Sequence, residues 1–182
     1  MNATAVTAAA EQAAFSRVTP MPTSALEFMP EVRDMCGAGR CRQYGRNWMC
    51  PPGCGTLEEC AARAAGFGQG LLVQTVGTME DDFDLEGIES AAQTHREHVR
   101  ALHKSLNGMN SPFLLLGAGA CDICPECTYP DAPCRFPELA SPSMEAFGLF
   151  VSRVCALSDA PYYAGPGTIT YTSCVLYNES NA

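Results

Sequence analysis

Residues 113–134 read Phe113-Leu-Leu-Leu-Gly117-Ala-Gly-Ala-Cys121-Asp-Ile-Cys124-Pro-Glu-Cys127-Thr-Tyr-Pro-Asp-Ala-Pro-Cys134. The apolar run Phe113–Leu116 predicts a buried strand, and Gly117-Ala-Gly119 a turn that presents the first thiol. Cys121, Cys124 and Cys127 then stand at two successive C-x2-C spacings, and Cys134 follows after six intervening residues. Thiols at i, i+3 and i+6 suit a cuboidal iron–sulfur cluster, because one short loop can give each of three irons a thiolate. Zinc, which more often joins two separate C-x2-C knuckles, is the alternative.

A second cysteine-rich window precedes it: Cys36-Gly-Ala-Gly-Arg-Cys41-Arg-Gln-Tyr-Gly-Arg-Asn-Trp-Met-Cys50-Pro-Pro-Gly-Cys54. Gly and Pro make it loop-like, and Pro51-Pro52 forces an extended path after Cys50. Cys36, Cys41, Cys50 and Cys54 are four candidate ligands for another metal. The eleven cysteines are an odd number, and nine fall in the windows 36–60 and 121–134. Odd count and clustering favour metal over disulfides, and with no signal peptide in Met1–Phe15 the expected location is cytoplasmic.

With 182 residues, 47% of them hydrophobic, the chain suits one domain, expected over 26–182 after a disordered tail over 1–25. A net charge of −9 argues against nucleic acid and against anionic lipid, and no apolar stretch is long enough to span a bilayer.

Outside the windows, Thr56-Leu-Glu-Glu59 is a capping box that opens a helix to about Ala65, with Cys60 on its apolar face. Leu71–Val76 predicts a strand. Asp84 caps a helix over 85–107, with Leu85, Ile88, Ala92, His95, Val99, Leu102 and Leu106 as its stripe. His95 lies on that stripe and His98 and His103 off it; packing explains them better than ligation. Ser141-Pro142 predicts the start of a helix burying Met144, Phe147, Val151, Val154 and Cys155. Residues 168–177 predict the clearest strand, with Cys174 packed inside it. The fold expected is α/β: a small mixed or parallel sheet with helices and two cysteine-rich metal-binding loops.

The two windows together resemble a family of predicted metal-binding proteins, domain of unknown function 2284. The resemblance rests on Cys36 and Cys41, on Tyr44-Gly-Arg-Asn-Trp-Met-Cys50-Pro-Pro, and on Gly117-Ala-Gly-Ala-Cys121-Asp-Ile-Cys124-Pro-Glu-Cys127. It continues through Pro133-Cys134-Arg-Phe-Pro and Pro142-Ser-Met-Glu-Ala-Phe-Gly148, and covers most of residues 32–177. It implies metal binding, iron–sulfur in kind, and no established reaction. Cys36, Cys41, Cys50, Cys121, Cys124, Cys127 and Cys134 match the family's cysteines, and the position of Cys54 varies in the family. Four residues separate Cys36 from Cys41, where the family's usual pair has three.

The leading functional expectation is one or two [4Fe–4S] clusters passing electrons to or from a redox protein partner. Trp48, Tyr44 and Phe136 are candidates to exclude water from the site. A structural zinc module is one alternative. Another is an enzyme with an open iron site acting on a small molecule, for which Asp122, Glu126, Arg135 and Glu145 are the nearby polar groups. Cys134 could close the second window or cross over to the first. No dinucleotide fingerprint, P-loop or Ser-His-Asp arrangement accompanies these cysteines.

Overall fold

The computed structural model describes residues 1–39 and 41–179. Its elements are α1 (Ala3–Gln12), β1 (Arg17–Met21), α2 (Pro30–Gly37), α3 (Leu57–Ala65), β2 (Gln69–Thr78), α4 (Leu85–Asn107), β3 (Phe113–Leu116), α5 (Val151–Leu157) and β4 (Thr168–Tyr177), with 3-10 turns at Thr23–Ala25 and Glu145–Phe147. None of the helices is long and apolar enough to cross a membrane. The last three residues of the expected domain lie outside the described residues.

Helices and sheet combine as an α/β fold, but the sheet is antiparallel throughout, in the order β1-β2-β4-β3. The expectation of parallel neighbours came from the strand–helix–strand succession β2-α4-β3. Those two strands do run the same way. β4 inserts between them, antiparallel to both, as in a split β-α-β unit. Both sheet faces are covered, which explains the continuous apolar runs Leu71–Val73 and Phe113–Leu116. Leu71, Val73, Leu115 and Val175 face α1 and α4, whereas Leu72, Leu114, Leu116, Cys174 and Leu176 face α3, α5 and the 145–147 turn.

The N-terminal segment, expected as a disordered tail over 1–25, carries α1 and β1. Asn2 caps α1 by accepting from the Thr4 N–H at 2.9 Å, and Val6, Ala9 and Ala10 are buried beside α4. β1 then pairs with β2 from Arg17↔Gln74 to Met21↔Gly70. Alanine is the strongest helix former, and its short side chain lets α1 settle close, so a composition that looks featureless makes a packed helix. Pro20 is tolerated because β1 is an edge strand.

Two helices depart from their expected form. The α4 stripe holds from His95 to Leu106, but at the N-terminal end Ala91 is buried and Leu85 is exposed. There α4 crosses β2 so closely that a side chain at Gly77 would overlap Ala91. The helix expected from Ser141 is split into the 145–147 turn and α5. Gly148, at φ 79°, breaks it in a conformation that favours glycine, and a β-carbon there would come within 2.5 Å of Leu57. Met144, Phe147, Val154 and Cys155 are buried as expected.

His95 is 1% exposed and is held from both sides: Nδ1 meets Thr75 Oγ1 at 2.9 Å and Nε2 meets Ser173 Oγ at 2.7 Å. Thr75 Oγ1 also meets His98 Nδ1 at 3.0 Å, and His103 is buried as well, though it lies off the predicted stripe. Burial, then the neighbouring His98 and Arg96, lower the His95 pKa from 6.5 to about 4. Its native value lies below its unfolded one, so the stabilisation is complete above pH 6.5 and is lost as pH falls towards 4. Between pH 7 and 5, urea unfolding should show the wild type losing roughly 2 kcal/mol that His95→Gln does not lose. Equal slopes for the two proteins would contradict this account.

Candidate metal centre

β3 is the sheet edge from which the cysteine loop leaves. Its exit is fixed by Gly117, whose N–H donates to Pro142 O at 2.8 Å and whose carbonyl accepts from the Met144 N–H at 3.0 Å. Asp122, between the first two thiols, is clamped to α4 by Arg96 at 3.0 Å and Arg100 at 2.7 Å. The return is closed by Arg135 donating to Glu126 O at 2.8 Å and by Thr128 Oγ1 donating to Pro133 O at 2.8 Å. Cys121, Cys124, Cys127 and Cys134 thereby line one cavity, which Asn47, Trp48 and Phe136 help to wall. Tyr44 lies elsewhere, its ring against Gly37.

In the first window, Cys36 comes from the last turn of α2, a short helix that the sequence signals only by Pro30 at its first position. Cys50 is buried, and burial first, then the Cys41, Cys36, Cys121 and Cys127 thiols, push its own thiol up to about 12. The two windows, some seventy residues apart in the chain, thus share one thiol neighbourhood. Burial, the Cys41 thiol and the Glu145 carboxylate likewise raise Cys36, with Arg33 opposing them.

Two side chains of the Tyr44–Cys50 segment tie the windows together. Asn47, 4% exposed, donates from Nδ2 to Cys121 O at 3.1 Å while its Oδ1 accepts from the Met49 N–H at 2.8 Å. Trp48 donates from Nε1 to Ala132 O at 3.0 Å and meets the Tyr129 ring edge-on at 4.8 Å. Sequence reading passed over Asn47; its burial as a polar residue comes only with the fold.

The remaining cysteines face the core. Cys54 donates to Ala146 O at 3.6 Å and lies within hydrogen-bonding reach of Cys60. That contact, with Arg33 and Arg63 nearby, holds the Cys60 thiol below its ordinary value, and Arg33 Nη1 approaches its sulfur at 3.6 Å. Cys155 and Cys174 are fully buried, as expected of packing residues, and all eleven cysteines are free thiols. Among the described residues, no three of His, Cys, Asp and Glu converge on a single point as ligands of one metal ion would. Four of the thiols, those of Cys121, Cys124, Cys127 and Cys134, border the same cavity. This donor set is all sulfur, which suits soft metals and iron–sulfur clusters.

Removing the Asn47 tie should weaken the joint between the windows. Asn47→Ala should lose about 1–3 kcal/mol in chemical denaturation and shift the emission of Trp48, the chain's single tryptophan, to the red. Unchanged stability and emission would show that the tie carries no weight.

The model of the family described as "Predicted metal-binding protein (DUF2284)" matches residues 19–177, a span that holds both windows and all four strands except the first two residues of β1. No curated protein and no solved structure matches the chain. With so much of its length inside that match, the chain belongs to this family of predicted metal-binding proteins.

Proposed function

We propose that the protein is an iron–sulfur electron carrier. Its second window would hold a [4Fe–4S] cluster on Cys121, Cys124, Cys127 and Cys134, and its first window would hold another through Cys36, Cys41 and Cys50. The observation that supports this reading is that four thiols, those of Cys121, Cys124, Cys127 and Cys134, border one cavity. A cuboid takes one sulfur at each iron, so it needs thiols spaced around it rather than gathered on a point. In this reading Cys134 closes its own window and does not cross over.

A bound [4Fe–4S] cluster supplies one-electron redox chemistry at a potential set by exposure and by hydrogen bonds to its sulfurs. The chain's residues do the rest. Trp48 and Phe136 line the cavity with aromatic surface. The guanidinium groups of Arg96 and Arg100, brought to Asp122, offset negative charge beside Cys121. Cys121, Cys124 and Cys127 also border an open surface groove of about 670 Å³ with Arg46 and Tyr129. That groove gives a redox protein partner a short approach to the thiols, and the nearness of Cys50 to Cys121 and Cys127 suits electron passage between two centres.

Anaerobically purified protein should be brown, with about four irons and four labile sulfides per occupied site and a paramagnetic signal on reduction. Cys134→Ala should remove the iron of the second window, while Cys155→Ala should leave the iron count unchanged. A colourless protein that holds zinc and no sulfide would overturn the proposal.

A further inference from the structure

We infer that the pocket where the first cysteine window, α3 and the 130–134 segment meet binds an apolar α-amino acid, its carboxylate on Arg63 and its ammonium group on Asp131. The inference goes beyond the iron–sulfur reading and does not depend on it.

The pocket has a volume of about 510 Å³, within the range of small-molecule sites. Trp48, Met49, Pro130 and Pro133 give it apolar walls, and Arg63 and Asp131 are the charged residues in its lining. The apolar surface is held in place before any ligand arrives. Trp48 is fixed by its bond to Ala132 O at 3.0 Å and by the Tyr129 ring at 4.8 Å, and the two prolines stiffen the segment that carries them.

Arg63 comes from the last turn of α3. Its guanidinium carbon lies 5.0 Å from the centre of the Phe147 ring, and its Nη1 donates to Cys54 O at 3.4 Å. These contacts place the group and leave most of its five N–H donors for a ligand. Among the described residues no carboxylate forms an ion pair with Arg63, and no cation forms one with Asp131. Opposite charges thus line one apolar pocket without pairing with each other. The matching molecule has an apolar body, a carboxylate for the guanidinium fork and an ammonium group for the aspartate. A molecule with one charge alone would answer only one of the two. Phenylalanine, leucine and methionine are simple molecules of the matching kind. The pocket shares Trp48, Met49 and Cys134 with the four-thiol cavity, so the bound amino acid would rest against a wall of the metal site.

Titration calorimetry on the whole protein, with phenylalanine, leucine and methionine as probes, tests this. Each amino acid that binds is compared with its deaminated and decarboxylated analogues, which for phenylalanine are phenylpropionate and phenethylamine. Both analogues should bind at least about tenfold more weakly than the amino acid. Arg63→Gln should abolish the advantage over the decarboxylated analogue and keep that over the deaminated one. Asp131→Asn should do the reverse. A merely structural role for either residue would not give that charge-matched pattern, and Trp48 emission reports whether each variant is folded. No binding heat from any of the three amino acids, an analogue that binds as tightly as its parent, or folded variants that weaken all ligands equally would overturn the inference. Iron content does not enter these outcomes: a colourless, zinc-loaded protein that binds the amino acid overturns the iron–sulfur reading alone.

Discussion

Everything in this fold is placed by the insertion of β4 between β2 and β3. Ten residue pairs join β4 to β2 and four join it to β3, so two strands that run the same way are held apart by one that opposes them. The consequence is that β3 becomes an edge strand. Its last residue, Leu116, pairs with Cys174 within β4, and the cysteine loop leaves the sheet from there. The 142–144 segment then supplies the hydrogen bonds that Gly117 would otherwise lack.

Around that edge, the site is built from ties between loops rather than from regular structure. Each tie is individually modest. The Asn47 amide spans two loops, the Trp48 indole reaches the return of the second loop, and Asp122 joins that loop to α4. Exposed ion pairs such as those of Asp122 contribute little to stability by themselves. Their effect is geometric: they hold thiol-bearing segments close together, where burial and the neighbouring thiols disfavour charge on Cys50.

Much of the local structure was legible in the sequence. The capping box at Thr56, with Glu59 reaching back to the Thr56 N–H, opens α3 as read, and the bounds of α4, β3 and β4 agree with their apolar patterns. These features depend on neighbours within a few residues. The parts that were not legible depend on distant partners. Nothing local in Thr168–Tyr177 says that it lies between β2 and β3, and nothing in an alanine-rich stretch says that α4 is waiting for it. The second window announced its cavity through spacing alone. For the first, spacing offers Cys54 among its four thiols, but only the fold shows that this thiol lies beside Ala146 O and Cys60.

The central claim is that the cysteine windows hold metal as iron–sulfur clusters rather than as isolated ions. X-ray absorption at the iron and zinc edges of anaerobically prepared protein tests this most directly. The account predicts an iron edge whose scattering contains a sulfur shell and a second, iron–iron shell. A zinc edge with a sulfur shell alone, and no metal–metal scattering, would contradict it.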